Sequence, residues 1–201
     1  HCHAVGELLA RIHLATRDHP LQRKSDRGLE WMLREGKVLA THQTPDATQL
    51  LNDTLAEIAA LQEQVRKLPR ANLHADLFRD NCMFEGTHLS GVIDFYNACS
   101  GPMLYDLAIT VNDWCSDEGG HLDEGRARAL LGAYAALRPF TAAEAELWPA
   151  MLRIACVRFW LSRLIAAEAF AGQDVLIHDP GGFQRRLAAR QQVSLRLPFA
   201  L

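Results

Sequence analysis

The feature that most constrains the fold is a polar cluster followed by a strand–turn–strand pattern. The cluster contains His74, Asp76 and Asn81, and Asp94 follows thirteen residues after Asn81. The residues between them read as a strand, a tight turn over Glu85–His88 and a second strand. A hairpin brings its two ends together, because directly opposed Cβ atoms lie about 4.5–5.5 Å apart. The sequence therefore predicts that Asn81 and Asp94 meet at the open end of a hairpin.

The residue types in this cluster indicate phosphoryl transfer. Such a site needs an acceptor for the proton of the attacking hydroxyl and hard oxygen ligands for magnesium at the phosphates. Asp76 fits the first role, Asn81 and Asp94 fit the second, and His74 is expected to orient the loop rather than react. Aspartate and asparagine before a strand also form turns through their own backbone. The joint occurrence of motif, hairpin and second aspartate favours the catalytic interpretation.

Composition excludes several other classes of protein. The 201 residues are 49% apolar and 22% charged, enough for one sizeable core, and the net charge of -3 gives no reason to expect nucleic acid as a partner. Apolar runs are interrupted by charges, so we expect no membrane span and a cytoplasmic location. The five cysteines have no Cys-x-x-Cys or zinc spacing and are predicted to be reduced, buried thiols. The side chains of His1, Cys2 and His3 are of types that bind metal ions, but the fraying end of a chain gives such ligands no fixed geometry.

Apolar periodicity predicts a mainly α fold of the α+β class, with helices around one small hairpin. After an opening helix on the Val5, Leu8, Leu9 and Ile12 face, helices are expected over 29–40, 45–67, 100–114, 122–137, 141–171 and 183–193. The helix over 141–171 is expected to be interrupted near Pro149, because proline removes a helical hydrogen bond.

Three segments resemble the carboxy-terminal lobe of the aminoglycoside phosphotransferase and choline kinase superfamily. These are Asn72–Asn81, Gly91–Tyr96 and Leu104–Ile109. Weaker likeness in Gly28–Trp31, Asn112–Cys115 and Arg158–Leu164 extends the resemblance to the homoserine kinases of this superfamily. The resemblance implies a protein-kinase-like lobe, ATP as co-substrate, Mg²⁺ as cofactor and the hydroxyl of an amino acid, homoserine, as acceptor.

Carried onto this sequence, the resemblance implies Asp76 as catalytic base and Asn81 and Asp94 as magnesium ligands. It also implies that Asp106 braces the catalytic loop from the following helix, with His74 supporting the same loop. An acid near a helix amino terminus is favourable in its own right, so Asp106 has a second, purely helical explanation.

The acceptor pocket is predicted from the chemistry of homoserine, whose carboxylate would suit an arginine. On the helix over 151–170, Arg158 lies about 140° from Arg153 and Arg163, so it is expected to leave their face and point into the cleft. A structural ion pair with Asp113 is the alternative for Arg158. Asp113 and Tyr96 are further candidates for the pocket.

The resemblance also implies an amino-terminal lobe with a glycine-rich loop and a strand lysine, which this sequence does not contain. Residues 1–201 are therefore expected to form a single carboxy-terminal lobe with little phosphotransferase activity alone; robust magnesium-dependent ATP turnover by these residues would contradict that. Two rivals remain open. One is a choline- or aminoglycoside-type kinase, which would need an aromatic or acidic pocket. The other is a non-catalytic binding or scaffold lobe.

Overall fold

Seven helices and four short strands make up the fold in this computed structural model, which describes residues 1–175 and 177–198. The elements are α1 (Cys2–Thr16), α2 (Leu29–Ala40), α3 (Pro45–Arg66), β1 (Arg70–Leu73), β2 (Cys82–Glu85), β3 (His88–Val92), β4 (Cys99–Pro102), α4 (Met103–Trp114), α5 (Glu124–Leu137), α6 (Ala142–Ala169) and α7 (Gly181–Ala189). The predicted helical class is confirmed. Within the described ranges, no helix is both long and apolar enough to cross a membrane.

The predicted hairpin is present as β2 and β3. Its register pairs Cys82 with Val92 and Glu85 with His88, and the two residues between form the turn. Gly86 has φ +62 there, a conformation that glycine adopts without steric cost. The open end of the hairpin continues one step further, where the Ile93 amide donates to the Asn81 carbonyl at 3.0 Å.

A second two-stranded sheet corrects the prediction of a single hairpin. Antiparallel strands β1 and β4 pair Arg70 with Pro102 and Leu73 with Cys99. The segment over 100–102, expected to begin a helix, is therefore strand, and α4 begins at Met103. Both strands have only four residues, and their pairing partner lies about thirty residues away, so periodicity gave no signal.

The helix containing Pro149 is not interrupted, contrary to expectation. It begins with a capping box in which the Thr141 hydroxyl accepts from the Glu144 amide and Glu144 accepts from the Thr141 amide. On both sides of Pro149 the helix buries large side chains, Trp148 and Met151 among them. We attribute its continuity to this packing, which offsets the lost hydrogen bond.

One apolar core joins the helices. α1 packs on α5, α4 on α6, and α2 with α3 lies against α6. α6 supplies much of the buried surface, including Trp148 and Trp160. The loop between β1 and β2 and the segment between β3 and β4 both project from this base, and they carry the candidate site.

Candidate active site

The loop after β1 is fixed from beneath by a buried carboxylate. Asp106, in the first turn of α4, accepts the backbone N–H of His74 and that of Ala75, both at 2.8 Å. His13 from α1 donates to the same carboxylate at 3.1 Å and accepts the Tyr134 hydroxyl at 2.8 Å. Ala75 has φ +62, which costs energy for a residue with a side chain. These bonds hold the loop in that conformation, so Asp106 does more than complement the helix terminus.

His74 ties the loop to the hairpin. Its side chain is fully buried and stacks at a tilt on Phe95, with ring centroids 4.7 Å apart. Its Nδ1 accepts the Asp76 amide at 3.2 Å, so Nε2 carries the proton that it donates to the Ile93 carbonyl at 3.0 Å. Both ring nitrogens are occupied by backbone partners, which leaves neither free to react with a ligand.

Asp76 lies half-buried at the head of the loop. Its Oδ2 accepts the Asn97 amide group at 3.1 Å, and no described residue bonds to Oδ1. Burial raises the pKa of the Asp76 carboxyl; the Arg158 guanidinium and the hydrogen bond from Asn97 act to lower that pKa, and the Asp94 charge acts to raise it. A raised pKa makes a carboxylate a stronger base. Sequence reasoning missed Asn97, because a lone asparagine in a loop carries no pattern.

Asn81 and Asp94 flank the open end of the hairpin, beside Asp76. The Asn81 side-chain nitrogen donates to the Asp76 backbone carbonyl at 2.8 Å, and no residue that the structure describes bonds to the Asn81 side-chain oxygen. Asp94 is exposed, has φ +63, and uses Oδ1 to accept the Tyr96 amide at 3.3 Å. Two oxygen ligands on neighbouring segments suit Mg²⁺, which keeps several waters or phosphate oxygens as its other ligands. The donor set fits that ion.

A polar cleft of about 140 Å³ opens next to Asp76. Its lining residues are Arg23, Ser25, Asp26, Arg27, Ala75, Tyr96, Asn97, Tyr105 and Arg158. Arg158 is 5% exposed, and within residues 1–175 and 177–198 its guanidinium makes no hydrogen bond or ion pair. Its closest aromatic contact is the Phe159 ring, with the guanidinium carbon 3.8 Å from the ring centroid. Arg158 thus points into the cleft, away from Arg153 and Arg163.

Asp113 does not line this cleft, and it does not form the ion pair with Arg158 that was the alternative for that arginine. Its carboxylate accepts the backbone N–H of Arg79 at 2.8 Å and the Arg79 side chain at 3.3 Å, and Arg186 lies 3.9 Å away. Asp113 therefore anchors the loop at Arg79 and does not pair with Arg158. Tyr96 does line the cleft, but its ring is 79% exposed and its carbonyl accepts Arg23 at 2.6 Å.

The opening residues form no metal site. Among the described residues, no group of three His, Cys, Asp or Glu side chains is arranged to hold a metal ion. His1 instead bonds through Nε2 to the Gly86 carbonyl at 2.9 Å. All five cysteines are free thiols, as expected, but only Cys99, Cys115 and Cys156 are buried; the other two are half-buried.

Known proteins similar to this chain are phosphotransferases. The model of the phosphotransferase enzyme family matches residues 1–140. A homoserine kinase of Pseudomonas aeruginosa (strain LESB58) is 68% identical over all 201 residues, which cover 64% of that relative. A homoserine kinase of Janthinobacterium sp. (strain Marseille) is 44% identical over 94% of this chain and 60% of its own length. The chain thus spans less than two thirds of these relatives.

Solved structures with the same fold are kinases of low sequence identity. The Plasmodium vivax ethanolamine kinase superposes with a TM-score of 0.59 at 16% identity, covering 94% of this chain and 58% of that one. The gentamicin–APH(2″)-IIa complex superposes with a TM-score of 0.56 at 16% identity, covering 96% and 63%. These likenesses establish the fold. With the family model matching well over half of its residues, the chain belongs to the phosphotransferase enzyme family.

Proposed function

We propose that this chain carries the catalytic loop and acceptor pocket of an enzyme that transfers the γ-phosphate of ATP to the hydroxyl of homoserine. One observation carries the proposal: Asp76, a half-buried carboxylate with a raised pKa, lies beside the hairpin end that bears Asn81 and Asp94. The 68% identity to a homoserine kinase along the whole chain supports homoserine as the acceptor.

Asp76 acts as the proton acceptor for the attacking hydroxyl. Its Oδ1 has no hydrogen-bond partner in the part of the chain that the structure describes, whereas Oδ2 is held by Asn97, so the carboxylate is oriented with one oxygen available. Its raised pKa makes the ionised form a better base than an exposed aspartate. His74 and Asp106 act on this group only through the loop backbone, by fixing the amides of residues 74–76.

Asn81 and Asp94 are the proposed ligands for Mg²⁺. The hydrogen bond from Asn81 to the Asp76 carbonyl turns the amide oxygen outward, and Asp94 keeps Oδ2 free of protein partners among the described residues. When bound, the ion supplies positive charge at the phosphate oxygens of ATP.

Arg158 is the proposed contact for the homoserine carboxylate. It is buried and always charged, it forms no ion pair with residues 1–175 or 177–198, and it faces the cleft beside Asp76. The same cationic cleft disfavours the cationic acceptors implied by a choline- or aminoglycoside-type kinase, since like charges brought together repel. Asp113 contacts Arg79 and is not proposed as a contact for the acceptor. Tyr96 lines the cleft and remains a proposed contact at its rim.

The test is acceptor screening of the full-length protein that contains this chain. With ATP and Mg²⁺, we expect phosphorylation of L-homoserine and little of choline, ethanolamine or gentamicin. Arg158→Ala should lower kcat/KM for homoserine far more than for 3-aminopropan-1-ol, the same acceptor without the carboxylate. An equal loss for both would remove the carboxylate contact. Turnover of none of these acceptors would favour the scaffold alternative.

A further inference from the structure

The Tyr105 hydroxyl is a buried donor without a partner. Its oxygen is shielded from solvent, and no side chain or backbone group of residues 1–175 and 177–198 forms a hydrogen bond with it. A buried hydroxyl without a hydrogen bond costs about 1–3 kcal/mol in protein interiors. Such groups are uncommon in native proteins and call for a specific explanation. Here no residue of 1–175 or 177–198 supplies the missing hydrogen bond.

Tyr105 and Arg158 are neighbours at the floor of the same cleft. Both line the 140 Å³ cleft with Asn97, which bonds to Asp76. Burial raises the pKa of the Tyr105 hydroxyl, and the Arg158 guanidinium is the strongest influence in the opposite direction. Burial lowers the pKa of Arg158, and Tyr105 is the strongest influence against that. A buried cation and a buried hydroxyl therefore line the same cleft, and neither forms a side-chain hydrogen bond with residues 1–175 or 177–198.

These two donors form a site for an anion. Arginine only donates and a tyrosine hydroxyl can donate or accept, but no hydrogen bond joins Arg158 to Tyr105 in the structure, and a carboxylate can accept from both. Arg23 and Arg27 add two further cations to the lining, and Asp26, the one acid among the described lining residues, is paired with Arg23 at 3.3 Å. With that pair set aside, Arg27 and Arg158 leave the described lining with an excess of positive charge.

We propose that Tyr105 is a specificity-determining residue, whose hydroxyl donates to the acceptor's carboxylate while Arg158 binds the same group. This rests on the proposed function and extends it, because it assigns rejection of acceptors without a carboxylate to a tyrosine as well as to an arginine. A site built to hydrogen-bond a substrate group rejects analogues that lack it, since its buried donors then stay unpaired.

The test compares Tyr105→Phe with the unmodified full-length protein on two acceptors. Phenylalanine keeps the ring, which also lines a neighbouring apolar cavity of about 320 Å³, and removes only the hydroxyl. We expect kcat/KM for L-homoserine to fall about 10- to 100-fold, the effect of one hydrogen bond to a charged group. The loss should lie in KM, because the contact is present in ground and transition states alike. For 3-aminopropan-1-ol, kcat/KM should change by less than about threefold.

A second measurement tests whether the two residues bind the same carboxylate. If Tyr105 and Arg158 bind one carboxylate, the double variant Tyr105→Phe/Arg158→Met should lose less than the product of the two single losses. Calorimetric binding of L-homoserine should weaken in each variant, which gives a readout independent of turnover. Multiplicative losses would mean that the residues act on different groups, and would overturn the proposal.

Tyr134→Phe is the matched control. It removes another buried tyrosine hydroxyl, one that bonds to His13 and lies outside the cleft lining. Any effect should be equal for the two acceptors. An equal effect of Tyr105→Phe on both acceptors would reject the proposal and leave homoserine phosphorylation intact. If the unmodified protein phosphorylates another alcohol instead, homoserine is wrong, and the role of Tyr105 survives only if that acceptor carries an anionic group whose removal reproduces the Tyr105→Phe loss.

Discussion

Arg190 and Arg158 are two buried arginines that the fold treats in opposite ways. Arg190, fully buried after α7, donates to the Asn112 side chain at 2.9 Å, the Gly120 carbonyl at 2.8 Å and the Ser116 hydroxyl at 2.6 Å. Arg158, 5% exposed in α6, has no such partner among the described residues. Since a buried charge without partners is costly, the first arginine stabilises the fold, and the second is the one proposed to bind a ligand.

The same contrast separates two aspartates of the catalytic region. Asp106 accepts three donors, from His74, Ala75 and His13, and is fully buried. Asp76 has one side-chain donor and a raised pKa. Polar groups whose hydrogen bonds are satisfied within the fold therefore support the site. The polar groups with few protein partners are the candidates for contacts with a ligand. Replacing each aspartate and each arginine in turn tests whether this division is real.

The largest effect is expected on activity at Asp76. Asp76→Asn in the full-length protein removes the proton acceptor and should lower kcat by about 10²- to 10⁴-fold. Because the native state disfavours the ionised carboxylate, the variant should be at least as stable as the unmodified protein. Asp80→Asn, at an exposed acid of the same loop, is the control and should leave both quantities nearly unchanged. If Asp76→Asn markedly lowered the free energy of unfolding, Asp76 would belong with the polar residues that stabilise the fold, as Asp106 does.

Asp106→Asn should act on stability instead. It leaves at least one of the three donors without an acceptor, and breaking such a buried charged network costs about 3–5 kcal/mol. Urea unfolding followed by circular dichroism measures the change. Asp123, an exposed helix cap whose carboxylate accepts the Arg126 amide, gives the control substitution Asp123→Asn, which should cost little because asparagine caps equally well.

The two arginines can be compared directly by replacing each with methionine. Arg190→Met strands three acceptors and should lower the free energy of unfolding by about 2–3 kcal/mol. Arg158→Met removes an unpaired buried charge and should be neutral or stabilising, while homoserine selectivity is lost. If urea titrations showed that both substitutions lower the free energy of unfolding equally, Arg158 would have a structural role like that of Arg190.

The smallest effect is a pH dependence of stability. Between the unfolded pKa of Asp76, about 4, and its raised native pKa, the native state binds more protons than the unfolded state, so this group's contribution to stability falls as pH rises. Asp76→Asn lacks this contribution. Relative to that variant, the unmodified protein should lose stability through this interval and level off above it. A difference that is flat with pH would refute the raised pKa.

Local patterns were enough to predict several elements from the sequence. The helix over 29–40 has the predicted bounds, and the hairpin turn falls at Gly86 and Thr87. Periodicity, turn residues and motif spacing are short-range signals, which explains this success. The β1–β4 sheet escaped prediction, because four-residue strands paired across about thirty residues leave no local pattern.

By itself, the sequence determined the helical class, the hairpin and the residue types at the catalytic loop. Only the tertiary structure decided which polar side chains are satisfied: it gave Asp113 to Arg79 and Asp106 to the loop amides, and it left the Tyr105 hydroxyl and the Arg158 guanidinium without hydrogen bonds among residues 1–175 and 177–198. The physical reason is that partnership depends on distances of about 3 Å between residues far apart in the chain, which spacing along a sequence does not encode.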